Sequence, residues 1–203
     1  EFRRVLFRSG MNDVFYEMEV AGLKRKLPIN KLTDEMCIAA FIIFGDVELT
    51  CACARDLIKR IPEHDIMVTA EAKSIPLIHE MARQMGVNKY IVARKGIKAY
   101  MREPFGVDVN SITTRTQQTL YVGLDEQQLM KDKRVLIVDD VISTGESLRA
   151  IEALVRRSGG NIVGRAAILA EGDSVYRDDI IYLEKLPLFD AQGNPIPFEK
   201  IAD

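Results

Sequence analysis

Two adjacent carboxylates, Asp139 and Asp140, stand at the end of the apolar run Val135-Leu136-Ile137-Val138. They are followed by Val141-Ile142 and a short polar turn, Ser143-Thr144-Gly145-Glu146-Ser147. Ionised carboxylates accept hydrogen bonds from sugar hydroxyls, whereas hydroxyl side chains and free backbone N–H groups at the start of a helix receive a phosphate. The helix is implied by the apolar stripe Leu148, Ile151, Leu154 and Val155, which recurs at helical spacing. Ligands of open α/β sheets lie beyond the carboxyl ends of the strands, so this strand, turn and helix form a ligand site by position as well as by composition. An acidic pair at one end and a phosphate turn at the other suit a phosphorylated sugar. Asp139 and Asp140 would take the ribose hydroxyls, and Ser143, Thr144, Gly145, Glu146 and Ser147 the 5′-phosphate.

Two plainer readings compete with this one. Leu-Ile-Val-Asp-Asp also opens a phosphoacceptor receiver domain, but that fold needs most of a domain after the motif and too little chain follows Asp140. A buried strand feeding an ordinary helix N-cap accounts for Asp140 or Ser143 alone, not for five polar residues together.

The chain of 203 residues is large enough for one good core and small for two, so a single α/β domain is expected. A formal charge of −2 gives no overall electrostatic reason to expect nucleic acid. No apolar run approaches the roughly 20 residues that span a bilayer, and no membrane association is expected. Cys37, Cys51 and Cys53 are odd in number and lack a nearby histidine or second cysteine pair. They read as reduced, mostly buried residues of a cytoplasmic protein rather than as a disulfide or zinc framework. Residues 1–10 are set apart: Arg3-Arg4-Val5-Leu6-Phe7-Arg8-Ser9 resembles the translation of an adapter oligonucleotide, and Met11 is a natural start, so they are expected to be a non-native artefact.

The elements that must position the motif follow a β/α rhythm from Pro62 onward. Ile66-Met67-Val68 reads as a strand, Ile75 to Met85 as a helix ended by Gly86, and Tyr90 to Ala93 as a strand. Leu120-Tyr121-Val122 is a short strand, Gly159-Gly160 stops the helix after the motif, and Ile162 to Leu169 is a further buried strand. Strands alternating with helices predict a parallel sheet. Upstream the pattern is less legible, apart from the apolar run Met36 to Phe44 and a helix capped by Asp46 and carrying Leu49, Cys53, Leu57 and Ile58. The proline-rich tail from Leu186 to Phe198 predicts irregular chain packed over the body.

The strand, acidic pair and Thr-Gly turn resemble the phosphoribosyl pyrophosphate motif of the type I phosphoribosyltransferases. This resemblance implies an open parallel twisted sheet flanked by helices, with a small N-terminal hood and a mobile catalytic loop. The expected layout is hood and first helix over 11–62, core over 63–189 and C-terminal tail over 190–203. It also assigns working parts: Ala70, Glu71, Ala72, Lys73 and Ser74 resemble the family's pyrophosphate loop, and Arg94, Lys95 and Lys98 the basic segment that meets the same group. In relatives this arginine often reaches the neighbouring subunit's site, so a homodimer is implied. The polar stretch from Tyr100 to Gln118 corresponds to the mobile loop, with Thr114 and Arg115 in catalytic places beside Asp139 and Asp140.

The implied reaction is displacement of pyrophosphate from the sugar by a nucleobase nitrogen. Mg2+ would be held by Asp139 and Asp140 through water or substrate. No Cys-His or Ser-His pairing is needed, and His64 and His79 read as ordinary residues. The absence of a lysine after the late strand, which ends Ala170-Glu171-Gly172-Asp173, favours adenine as the base. The loop, with Thr114 where the adenine branch carries a glutamate, looks more like the xanthine branch. A purine-responsive regulator keeping the sugar-phosphate site without catalysis is the reading from another class, although such proteins generally add a DNA-binding module and 11–62 shows no helix-turn-helix pattern. A partner-binding relative that has lost catalysis would not need Asp139, Asp140, Thr144 and Gly145 together. Deleting residues 1–10 should leave the melting temperature unchanged in a thermal scan. A fall of several degrees would mean that Val5, Leu6 and Phe7 are packed.

Overall fold

The computed structural model describes residues 14–109 and 118–198. The first three strands, β1 (Phe15–Val20), β2 (Leu23–Lys31) and β3 (Met36–Ala39), form an antiparallel meander that leads into helix α1 (Val47–Ile58). Then come β4 (Ile66–Ala70), α2 (Ile75–Met85), β5 (Ile91–Ala93), the hairpin β6 (Phe105–Val109) and β7 (Gln118–Val122), and the short α3 (Leu124–Met130). The motif lies on β8 (Arg134–Ile142) and α4 (Glu146–Arg157). The chain continues through β9 (Asn161–Glu171), a 3₁₀ helix Gly172–Tyr176, β10 (Ile181–Leu186) and β11 (Phe189–Asp190).

Five strands make a parallel sheet in the order β10-β9-β8-β4-β5, so the motif strand occupies the middle and is paired on both sides. A strand covered on both faces reads as a continuous apolar run, and Val135 to Val138 are all buried. Leu136 and Val138 pack toward α1, α2 and the hood, with Leu49, Leu57, Leu77 and Met81. Val135 and Ile137 pack toward α4 and the hairpin, with Leu120, Val122, Ile151 and Leu154. The open parallel sheet, flanking helices and N-terminal hood expected from the resemblance are all present.

Local signals explain the helices. The Asp46 carboxylate accepts from the Leu49 N–H at 3.0 Å and so caps α1, whose buried face carries Leu49, Cys53 and Leu57. Pro76 sits in the first turn of α2, where a missing N–H costs nothing. Gly86 ends that helix at φ +68°, its N–H donating to Ala82 and Arg83.

Two expectations change. The tail is not wholly irregular: Phe189 and Asp190 pair antiparallel with Cys37 and Met36, adding a fourth strand to the hood. The cause is Phe189 itself, 1 % exposed and edge-on to Tyr16 at 5.1 Å between ring centroids, which pins the tail there despite its prolines. The stretch from Tyr100 onward is not all loop either. Its Phe105–Val109 portion pairs with β7, and both strands lean on α4: Arg157 lies 4.5 Å over the Phe105 ring and donates to the Gly106 carbonyl at 3.0 Å. Residues 1–10 and the loop residues 110–117 lie outside the described residues.

Asp46 joins two stabilising roles, since Arg25 also donates to its carboxylate at 2.6 and 3.1 Å. Asp46→Ala should lower stability by about 1–2 kcal/mol in denaturant titrations at pH 7, and Asp46→Asn, which keeps a capping oxygen, by less. The Arg25 guanidinium and the Leu49 N–H, outweighing burial, hold the Asp46 carboxyl below its usual range. Its contribution is therefore present above the unfolded carboxylate pKa of about 4 and is lost as the pH falls through the lower folded value. The difference between wild type and Asp46→Ala should shrink accordingly in acid.

Candidate active site

The carboxyl end of β8 opens into a cavity of about 350 Å³ lined by Ala70, Glu71, Ala72, Lys73, Ser74, Lys95, Leu120, Asp139, Asp140, Val141 and Ser147. Nine of the residues singled out in the sequence thus meet in one space, although they come from three separate stretches of chain. The parallel sheet is the reason: β4 and β5 end beside β8, so the segments leaving all three emerge at the same edge.

Asp139 is held in place by its neighbours. Its Oδ1 accepts from the Ser74 hydroxyl at 2.8 Å and from the Asp140 N–H at 2.8 Å. Burial and then the Asp140 charge raise the Asp139 carboxyl well above the ordinary carboxylate range, and the two hydrogen bonds only partly oppose this. Asp140 is 3 % exposed, and Lys73 Nζ stands 3.2 Å from its Oδ2. The ammonium is close enough to pair in charge, yet that oxygen has no partner in hydrogen-bonding geometry among the described residues. A buried carboxylate oxygen left this way is one that a further cation or donor would satisfy.

The loop between β4 and α2 presents the Ala72, Lys73 and Ser74 N–H groups without backbone acceptors among the described residues. The Glu71 N–H does not share this freedom, because it donates to Ala93 at 2.8 Å. The Glu71–Ala72 peptide bond is cis. The Glu71 carboxylate takes the Lys95 N–H at 3.0 Å and the Nε and Nη2 edge of Arg94 at 3.2 and 3.3 Å, and these bonds, backbone first, lower its pKa. Arg94, expected to meet pyrophosphate, is therefore engaged within its own chain, and its Nη1 donates to the Tyr100 hydroxyl. Its backbone also bridges to Tyr121 on β7, at 2.9 and 2.8 Å.

Gly145 begins α4 at φ +78°, a conformation that suits glycine alone among the turn residues. Ser147 reaches the cavity, while Ser143, Thr144, Gly145, Glu146, Arg94 and Lys98 are not among its lining residues. Thr114 and Arg115 lie outside the described residues. Glu171, at the end of β9, faces the same edge: it hydrogen-bonds to Ser143 and feels the charge of Lys73, while burial raises its pKa. Leu120 and Val141 were not marked in the sequence as site residues because nothing separates them there from core residues. A smaller cavity of about 150 Å³ lies past β9, lined by Gly172, Asp173, Tyr176, Leu188 and the tail residues Ile196 to Phe198.

Among the described residues no three His, Cys, Asp or Glu side chains converge as a metal cage. Two adjacent carboxylates with one unsatisfied buried oxygen instead suit a hard cation that keeps waters and arrives with substrate phosphates, the habit of magnesium. No helix among the described residues is long and apolar enough to cross a membrane.

Comparison with known proteins agrees with this geometry. Residues 48–199 match the family model described as phosphoribosyl transferase domain. The xanthine phosphoribosyltransferase of Brevibacillus brevis is 31 % identical over 103 residues, which is 51 % of this chain and 52 % of that protein. The hypoxanthine/guanine phosphoribosyltransferase of Methanococcus voltae is 35 % identical over 109 residues, 54 % of each chain. The chain thus spans about half the length of these curated relatives. The crystal structure of adenine phosphoribosyltransferase from Thermoanaerobacter pseudethanolicus superposes with a TM-score of 0.59 at 20 % identity, covering 70 % of this chain and 84 % of that one, a likeness of fold.

The hairpin beside the cavity carries a concrete expectation. Amides of Phe105–Val109 that pair with β7 should exchange slowly with deuterated solvent in the ligand-free protein, since the hairpin is packed on α4. Rapid exchange throughout these strands would show the hairpin to be unanchored.

Proposed function

Because the chain belongs to the phosphoribosyl transferase family, we propose that it moves the 5-phosphoribosyl group from phosphoribosyl pyrophosphate to a purine base, releasing pyrophosphate. The observation that carries this reading is the meeting of the Ala70 to Ser74 loop with Asp139, Asp140 and Ser147 around one cavity. Pyrophosphate would lie against the free N–H groups of Ala72, Lys73 and Ser74 and the ammonium groups of Lys73 and Lys95. The ribose hydroxyls would face Asp139 and Asp140, and the 5′-phosphate the turn from Ser143 to Ser147. A base nitrogen bonds to C1 as the C1–O bond to pyrophosphate breaks, and the ring N–H proton leaves to solvent or an acceptor. Magnesium bound with the substrate supplies neutralisation of the charge growing on the leaving group. Lys73 would exchange its ion pair with Asp140 for the incoming phosphates, while Ser74 keeps Asp139 oriented.

Adenine is the base that the end of β9 suits best. A 6-oxo purine needs a donor at its oxygen, whereas Glu171 and Asp173 offer acceptors for an exocyclic amine. A lysine in place of Gly172 would be strained at φ +58° and its Cβ would come within 3.0 Å of Leu188. The oxopurine reading is favoured by the names of several sequence relatives, those of xanthine and hypoxanthine/guanine enzymes, although an adenine phosphoribosyltransferase also stands among the relatives. Turnover in a homodimer, with catalytic roles for Thr114 and Arg115, belongs to the same proposal.

Pyrophosphate release measured with adenine, hypoxanthine, guanine, xanthine and orotate in turn separates these readings. Adenine should give the largest kcat/KM, and a higher value for xanthine or hypoxanthine would overturn the base assignment. Asp140→Asn should weaken binding of phosphoribosyl pyrophosphate, or the rate, by roughly ten- to a hundred-fold, the worth of one charge-assisted hydrogen bond. An unchanged titration with the fold intact would remove Asp140 from the ribose site.

A further inference from the structure

At Gly145 the direction in which a side chain would project is occupied by arginine. A Cβ built there would lie 2.9 Å from Arg177 Nη1 and 3.8 Å from Arg149 Nη1. Two guanidinium groups therefore approach the first turn of α4, the end of the helix at which its dipole places positive partial charge. Like charges gathered at one point repel, and cations are disfavoured at a helix N-terminus. Asp179 and the first-turn Glu146 offset part of this charge, and an anion seated in the turn would complete the balance.

Arg177 is also shaped for that task. Its Nε and Nη2 both donate to Asp179 at 2.8 Å, a bidentate pair that fixes the guanidinium plane. The remaining nitrogen, Nη1, is the one facing Gly145, and it has no hydrogen-bond partner among the described residues. The segment that delivers it is anchored to the motif strand, since the Ser174 hydroxyl donates to the Ile142 carbonyl at 2.6 Å and to the Glu171 carbonyl at 2.9 Å. Arg177 is 31 % exposed in its side chain, open enough to receive a ligand and covered enough to be held.

We propose that Arg177 binds the sugar's 5′-phosphate through Nη1, oriented by Asp179, so that the phosphate turn of this protein includes a cation from outside the motif. This assignment rests on the phosphoribosyltransferase reading, and it adds recognition of the 5′-phosphate by charge to the hydroxyls and N–H groups of Ser143 to Ser147.

Calorimetric titration of the full chain with ribose 5-phosphate, pyrophosphate and phosphoribosyl pyrophosphate, each with magnesium, tests it in wild type, Arg177→Gln and Arg177→Lys. Arg177→Gln should weaken ribose 5-phosphate about ten- to a hundred-fold while pyrophosphate changes less than about twofold, and Arg177→Lys should fall between. If Arg177→Gln does not fold, Arg177→Lys decides alone, because it keeps the charge but loses the planar pair with Asp179 and should still cost ribose 5-phosphate about threefold or more. Unchanged ribose 5-phosphate binding, or equal losses for both ligands, would overturn the role of Arg177 and leave the functional reading standing. Failure of the wild type to bind phosphoribosyl pyrophosphate would overturn that reading and this assignment with it.

Discussion

Asp139 and Asp140 stand side by side at a strand end where Asp140 is buried, and burial followed by the Asp140 charge makes ionisation of Asp139 costly. The surroundings are arranged to offset that cost. The Ser74 hydroxyl and the Asp140 N–H serve one carboxylate and the Lys73 ammonium stands by the other, so α2 must begin, and β4 must end, next to the middle of the sheet. A β8 on the edge of the sheet would have one such neighbour; in the middle it has β4 on one side and β9 on the other. β9 brings Glu171, a third carboxylate made costly to ionise by burial, with Lys73 again within electrostatic reach. Carboxylates held at this edge against the cost of burial are a setting that a substrate carrying a divalent cation would suit.

The second constraint is mechanical. α4 starts at the turn from Ser143 to Ser147, and the same helix carries on its buried face the contacts that seat the hairpin: Leu120 and Val122 lie in its apolar cluster, and Arg157 grips Phe105 and Gly106 near its far end. The hairpin is also tied to β5 through the Arg94–Tyr121 bridge, and Arg94 in turn holds Glu71. A displacement of the hairpin would be felt both at the loop between β4 and α2 and at the helix that opens with Gly145. The two ends of the candidate substrate site therefore share a support.

Much of the core was legible because its periodicity is undiluted. β4, β5, β8 and β9 are apolar runs, and α1, α2 and α4 carry one-sided stripes with an Asp cap at the start of α1 or a Gly stop after α2 and α4. The hood was not. In β1 only Met18 and Val20 are buried and in β2 only Leu27, so strands rich in Glu, Lys and Arg carry too few apolar residues to give a legible pattern. α3 buries Met130 alone, too little to leave a stripe. The acidic pair and the polar turn after it were readable because they are contiguous. The Glu71–Arg94 pair and the approach of Arg177 to Gly145 join residues 23 and more positions apart, and no local pattern announces a charge that arrives from another strand end.

The way β8 delivers both carboxylates to one cavity departs from simple alternation. Along a regular strand, neighbours point to opposite faces, which would send one of Asp139 and Asp140 toward α4 and the other toward α2. Up to Val138 the rule holds: Leu136 and Val138 belong to the side of α1 and α2, Val135 and Ile137 to the side of α4. After the pair the order is inverted, with Val141 packing on the first side and Ile142 on the second. β9 inverts at the same level, for Ile168 and Leu169, consecutive residues, both join the first side. The faces of two adjacent strands thus change places near the carboxyl end of the sheet, close to Val141 paired with Leu169. Asp139 and Asp140 lie within this stretch of β8, between Val138 and Val141, and both line one cavity. An apolar run read from sequence locates the acidic pair, but it is this local inversion that turns two alternating side chains into a single site.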